Sequence, residues 1–392
     1  MKHKLIRTAT VATSLNILLK GQLQFLNQHF EVIAISGQDK DLLAVSDREK
    51  VKTISVSFQR QISIVQDIIS LYKLYRILKS EKPLIIHSIT PKAGLLSMIA
   101  GYFAKVPIRM HTFTGLVFPS KVGLIKQILI AMDKLLCCFA THIYPEGEGV
   151  KNDLIQYKIT SKSLKIIANG NVNGVDCDFF NPEIISHNEK NALKKQLSIS
   201  ETDFVFIFVG RIVQDKGINE LIDAFLLLSE SNNCAKLLLV GPFEQHLNPI
   251  KPETLFQIQN HKQIISVGFQ DDVRPYFAIS NCLVFPSYRE GFPNVVLQAS
   301  AMNLPSIVTN INGSNEIISH NVSGLIIPSK NSEVLFAAMK AIIFDVDLYT
   351  ILKSNCRKNC VLKYSQISVW NAILEEYKAL EIQHFSRVSK NL

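Results

Sequence analysis

Short apolar runs alternate with longer stretches of helical period along nearly the whole chain. That order confines the fold to parallel sheets clad by helices, because parallel neighbours need a long crossover and a helix is its usual form. In the first half, strands are expected over 5–11, 30–36, 51–57, 83–88, 108–112, 142–144 and 164–167, with helices clearest over 62–80 and 92–103. The segment from Asn169 to Pro182 is rich in Asn, Gly and Asp, has no helical period, and reads as a linker. A second series follows, with strands over 204–209, 236–240, 264–267, 282–285, 306–308 and 324–327. Its helices fall near 218–228, 273–279, 294–301 and 333–343. The expected fold class is α/β: two doubly wound domains, 1–177 and 178–362, facing across a cleft, with a helical segment over 363–392 packing back toward the first.

A chain of 392 residues exceeds what one core usually sustains, and a hydrophobic content of 47% supplies two. Lys and Arg outnumber Asp and Glu by 42 to 33, a net charge of +9 that points to an anionic partner. The basic residues are dispersed and no nucleic-acid module is visible, so nucleic acid is not the expected partner. Seven Cys without a Cys-x-x-Cys pair indicate neither a disulfide framework nor a zinc site and fit a reducing cytoplasm. The N-terminus reads as a first strand, not a signal peptide. The longest apolar-rich runs, 94–104 and 128–132, fall short of the roughly 18 to 20 residues of a membrane span, so any membrane contact is expected to be peripheral.

Two glycine-punctuated turns carry the chemistry. Gly-Arg-Ile-Val-Gln-Asp-Lys-Gly, 210–217, follows the strand at 204–209; Glu-Gly-Phe-Pro-Asn-Val-Val-Leu-Gln, 290–298, follows the strand at 282–285. Each leads into a helix, whose free N–H groups and dipole favour anions, and the first adds Arg211 and Lys216. Such a strand end suits a departing diphosphate. The triplets Asp176-Cys-Asp178 and Asp345-Val-Asp347 do not follow a buried strand, so no metal and no cofactor is expected.

These turns, with Lys20-Gly-Gln22, His87-Ser-Ile-Thr-Pro-Lys-Ala-Gly94, His111-Thr-Phe-Thr-Gly115 and Asn173-Gly-Val-Asp176, resemble retaining glycosyltransferases of family 4, which have the GT-B fold of two Rossmann-like domains. The likeness spans nearly the whole chain and is strongest to enzymes of bacterial capsule and O-antigen assembly. It implies a nucleotide diphosphate-sugar donor, here expected to be a UDP-linked sugar such as a HexNAc, bound by the second domain. It also implies a polyprenyl diphosphate-linked or glycan acceptor bound by the first, at the cytoplasmic face of the inner membrane. By the resemblance, Arg211 and Lys216 neutralise the leaving diphosphate. Glu290 is the first acid of a Glu-x7-Glu signature and, with His111, catalytic. Gly291, Phe292, Asn294 and Val295 contact donor sugar and phosphate, and Gly21 lets backbone approach the phosphates. The second acid of the signature is replaced by Gln298, whose neutral bonds to a ribose are weaker than charge-assisted ones. That departure leaves two alternatives open: a catalytically weak partner subunit, and a nucleotide-sugar 2-epimerase of similar architecture.

Between Lys121 and Phe139, Ile125, Ile128, Leu129, Met132, Leu135, Leu136 and Phe139 form a helical stripe. It reads either as a core-facing face or as a helix lying on an anionic leaflet.

Overall fold

Six strands build the first sheet: β1 (Lys4–Thr8), β2 (Glu31–Ser36), β3 (Lys52–Ser55), β4 (Ile85–Ser88), β5 (Ile108–Phe113) and β6 (His142–Pro145). They pair in parallel in the order β3-β2-β1-β4-β5-β6. Both faces of a parallel sheet are covered, and the strands show it. Leu5 and Ile85 enter one apolar core while their neighbours Ile6 and Ile86 enter the other. The computed structural model describes residues 2–59, 63–244 and 248–390. The chain divides into two compact units, Met1–Gly174 with Gln366–Leu392, and Val175–Ser365.

The helix Gln366–Lys390 belongs to the first unit because its apolar residues recur at helical spacing. Val369, Ile373, Tyr377 and Leu380 are buried in one core with Leu5 and Ile85. Two expectations are corrected here. The first strand stops at Thr8 and a helix begins at Ala12, since Ala12 and Leu15 pack inward with a helical, not alternating, period. The expected strand at 164–167 is a single bridge between Leu164 and Ile143, after which positive φ angles at Ala168 (53°) and Asn171 (61°) turn the chain away. The expected helix over 62–80 runs Ile64–Glu81; Ile62 lies outside the described residues.

The second unit repeats the plan with β7 (Phe204–Val209), β8 (Ala235–Val240), β9 (Ile264–Ser266), β10 (Cys282–Phe285), β11 (Ser306–Thr309) and β12 (Gly324–Ile327). Their order is β12-β11-β10-β7-β8-β9. The order therefore reverses between β7 and β10, as it does between β1 and β4 in the first sheet. Ligands of open α/β sheets bind outside the carboxyl ends of the strands at such reversals. Among the described residues no helix is long and apolar enough to cross a membrane.

Candidate active site

The two glycine turns meet at the reversal in the second sheet. After β7 the chain makes a short 3-10 turn over Gln214–Lys216 and enters the helix Ile218–Ser231 through Gly217, at φ 71°. A Cβ on Gly217 would lie 2.1 Å from the Pro286 carbonyl oxygen, so only glycine lets this turn close against the loop after β10. The closure sets the Lys216 ammonium against the Glu290 carboxylate, both side chains about one-sixth exposed, and 5.5 Å from the centre of the Phe285 ring. Glu290 Oε1 also accepts a hydrogen bond from Ser287 Oγ at 2.8 Å. Thr309 Oγ1, at the end of β11, donates to the Ser287 carbonyl. A cation and an acid are thus held side by side at the mouth of the strands, each with a fixed neighbour.

Arg211 does not join them. Its guanidinium donates to Glu244 Oε2 at 2.9 Å, on the loop after β8, and nearly half of the side chain is exposed. The backbone explains the separation. Ile212 bridges to Phe243 beside β8, whereas Gly217 abuts Pro286 beside β10, so the two cations flank the end of β7 on opposite sides.

The second turn leads into the helix Asn294–Ala301, which no side chain caps. Asn294 and Gln298 lie one turn apart on its partly exposed face, while Val296 and Leu297 face the core. Val295 is half-buried and packed against that core. The Phe292 side chain is buried against the Tyr364 ring at 5.6 Å, so any contact it makes with a ligand comes from its backbone. Gly291 and Phe292 also lie under Gly313, whose added Cβ would stand 2.3 Å from the Gly291 oxygen. Nearby, Tyr288 donates to both oxygens of Glu220 at 2.7 Å; burial and this acid raise its phenol well above the usual range.

Sequence reasoning missed Ser287. The Ser-x-x-Glu spacing of 287–290 was the available signal, since it brings a hydroxyl and a carboxylate three residues apart into reach.

In the first unit the expected residues have partners within the protein. His111 is 1% exposed, with Nδ1 2.7 Å from Ser88 Oγ and its ring edge-on to Phe113. Burial pushes its pKa down to about 3, so it is a neutral ring within the sheet. The expected catalytic role of His111 would require this buried ring to be reached from the carboxyl end of the strand. His87 is likewise buried, between Tyr377 Oη at 2.6 Å and Thr112 Oγ1 at 2.8 Å, and desolvation holds its pKa well below the usual value. Gly21, at φ 81°, is a glycine because a Cβ would meet the Trp370 indole at 2.7 Å. Its N–H donates to Glu49 Oε1 at 2.8 Å. Arg7, 1% exposed, donates to Gln22 at 2.9 Å and Tyr377 at 2.8 Å, while its Nε has no partner.

Among the described residues no group of three or more His, Cys, Asp or Glu is placed to hold a metal. Asp176 and Asp345 spend their carboxylates on the N–H groups of Asp178, Phe179 and Leu348. An open cavity of about 1020 Å³ in the first unit, lined by Lys2, Lys4, Glu31 and Lys105 among others, lies at the amino ends of the strands, away from the edge where doubly wound sheets bind ligands.

Residues 189–359 match the family described as Glycosyl transferases group 1. The chain is a glycosyltransferase carrying a group 1 domain. The matched segment contains both glycine turns and Lys216, Ser287 and Glu290. The glycosyltransferase is 29% identical to the capsular polysaccharide biosynthesis glycosyltransferase CapM of Staphylococcus aureus, over 96% of this chain and 97% of the relative. It is 28% identical to UDP-Gal:alpha-D-GlcNAc-diphosphoundecaprenol alpha-1,3-galactosyltransferase of Escherichia coli, over 90% and 89% of the two chains. The fold is that of Anabaena HepE solved with UDP and glucose, with a TM-score of 0.80 and 17% identity over 96% of this chain and all of HepE. That is the expected GT-B fold.

Proposed function

We propose that this glycosyltransferase moves a sugar from a UDP-linked donor, with retention at the anomeric carbon, onto a polyprenyl diphosphate-linked acceptor during assembly of a bacterial surface polysaccharide. The observation that carries the donor site is the Lys216, Glu290 and Ser287 cluster at the reversal between β7 and β10. When the bond from the anomeric carbon to the diphosphate breaks, its electron pair stays on a phosphate oxygen. A fixed cation there stabilises the transition state more than the ground state. Lys216 supplies that cation. Glu290 orients the ammonium before the donor arrives, and its other oxygen is available to sugar hydroxyls. Arg211, more exposed and tied to Glu244, acts as a second, weaker phosphate contact from the other side of β7. Asn294 and Gln298 present amides to the donor from the helix that follows. The donor base is supported by the UDP complex of HepE and by the UDP-Gal in the name of the E. coli relative; the lipid diphosphate acceptor is supported by that same name.

The test is to incubate the purified protein with UDP-, GDP- and ADP-sugars and a polyprenyl diphosphate-linked glycan, then identify the product by mass and its anomeric configuration by NMR. Transfer from a UDP-sugar to give the same anomeric configuration as the donor is the expected result. Isomerisation of the donor without an acceptor would establish the epimerase instead, and inertness toward every donor would establish the partner subunit that Gln298 leaves open.

A further inference from the structure

Two cysteines from opposite ends of the second unit meet beside the helix Asn294–Ala301. The chain enters that unit along its last helix, Val346–Tyr364: the Val175 N–H donates to the Tyr364 carbonyl at 2.8 Å, and the Cys177 carbonyl accepts from Arg357 Nη2 at 3.0 Å. Residues 175–177 therefore run from the end of the helix back to Arg357. Cys360 lies one turn from each of these anchors, on the same side of the helix. Its thiol faces Cys177 and gives it a hydrogen bond. Cys360 is 3% exposed in the core of the second unit, whereas Cys177 is half-buried and packs against that core. Small solutes reach the pair from the side of Cys177.

The two sulfurs differ in chemistry as well as access. The hydrogen bond from Cys360 and the Arg357 guanidinium hold the Cys177 thiol below its usual range, against burial and the neighbouring Asp176 and Asp178. The same hydrogen bond, with burial, holds Cys360 well above that range. Cys177 is thus the nucleophile and Cys360 its protonated neighbour. Burial dominates at Cys137 and Cys356 and pushes both up to about 12. Cys356, one turn before Cys360, turns instead to Asn303 Oδ1 at 3.5 Å.

The pair also reaches the donor site. Cys360 Sγ donates to the Leu297 carbonyl at 3.4 Å, in the helix that presents Asn294 and Gln298. Arg357 donates to the Ala301 carbonyl at the end of that helix. Tyr364 donates to the Glu316 carbonyl at 3.0 Å and packs on Phe292. A disulfide sulfur carries no hydrogen, so joining Cys360 to Cys177 removes the bond to Leu297.

We infer that Cys177 and Cys360 are a thiol pair that a hydroperoxide closes to a disulfide, and that closure slows use of the donor until a dithiol reopens it. The Cys177 thiolate attacks the peroxide, the O–O bond breaks, and an alcohol or water leaves after taking a proton from solvent. Cys360 then attacks the sulfenic acid on Cys177; the S–S bond forms, the S–O bond breaks, and the hydroxyl leaves as water with the Cys360 proton. The thiols lose two electrons and the peroxide gains them. Formation of the bond is independent of the proposed function; the effect on rate rests on the donor site given there.

The experiment treats the reduced full chain with hydrogen peroxide, blocks remaining thiols, and maps disulfides by mass spectrometry before and after dithiothreitol. A Cys177–Cys360 disulfide is the expected product. With it, kcat/KM for a UDP-sugar should fall about fivefold, the worth of one neutral hydrogen bond, and return with dithiothreitol. Cys177→Ser should keep the rate of the reduced protein and lose its sensitivity to peroxide. Cys360→Ser should stop at the sulfenic acid, captured on Cys177 by dimedone; if that variant does not fold, Cys177→Ser decides alone. A disulfide from Cys177 to Cys356, no Cys177–Cys360 disulfide at a peroxide level that oxidises the exposed Cys138 and Cys234, or an equal loss of rate in Cys177→Ser would each overturn the inference. Absence of transfer by every protein, with the disulfide formed, would refute the proposed function and leave the thiol pair standing.

Discussion

Adding one methyl group at Gly313 should disable the donor site through backbone contact alone. Gly313 has φ 75°, and a Cβ there would lie 2.3 Å from the Gly291 oxygen and 2.7 Å from the Phe292 Cα. The natural comparison is Gly123, which has φ 61° but no atom within 4 Å of its added Cβ. Alanine at either position bears the cost of a positive φ, about 1–2 kcal/mol. Only Gly313→Ala adds overlap, and the overlapping atoms are backbone, which cannot swing aside as a side-chain end would. Reaching the 3.0 Å that real contacts keep moves the Gly291 loop by about 0.7 Å. Overpacking of that kind costs about a further 1–3 kcal/mol. Glu290 is the next residue in the chain, so its carboxylate shifts with the loop. A misplacement near 1 Å at a reacting centre costs on the order of a hundredfold in rate. Gly313→Ala should therefore unfold at lower denaturant than Gly123→Ala and lose about ten- to a hundredfold in kcat/KM with a soluble acceptor. Gly123→Ala should keep its rate. Equal stability and equal rate in the two variants would refute the claim that the Gly313 loop supports Glu290.

Lys216→Met should lower kcat/KM by about ten- to a hundredfold, the worth of one hydrogen bond to a charged group, in steady-state assays with a UDP-sugar. Arg211→Met, removing a half-exposed side chain already paired with Glu244, should cost less; the reverse ranking would overturn the placement of the two cations. Tyr377→Phe leaves Arg7 and His87 short of a buried partner and should destabilise the first unit by about 1–3 kcal/mol in denaturant melts. His111, with a folded pKa of about 3, binds its proton in the unfolded chain first, so stability must fall as pH drops below the unfolded value near 6.5. Between pH 6.5 and 5 that loss is about 2 kcal/mol, and His111→Gln should reduce the acid sensitivity of the melting midpoint.

The alternation of strands and helices was legible because both faces of each parallel sheet are buried, which leaves runs such as Phe204–Val209 without polar interruption. Lys216 and Glu290 were legible for a related reason: each lies a fixed, short step beyond such a run, and in a parallel sheet neighbouring runs end at the same edge. What lies sideways from that edge was not legible. Arg211 meets Glu244, 33 residues on, because β8 happens to neighbour β7, and strand order is not written in the periodicity of either strand. The surroundings of His111 were not legible either. A polar residue near a strand end looks available for chemistry, yet Ser88 on the adjacent strand and the space left by Gly94 close it into the sheet; a Cβ on Gly94 would come 2.5 Å from the His111 ring. Gly21 reads as a phosphate loop from its neighbours in the chain; the indole packed against it arrives from Trp370, almost the whole chain away. The stripe from Ile125 to Phe139 is ambiguous for a physical reason. A 3.6-residue period states that one side of a helix avoids water without stating what it avoids water with, so a helix meant for a core and a helix meant for a bilayer have the same pattern. In the structure Val122, Leu124 and Ile125 stand exposed, which the period alone did not tell from a covered face.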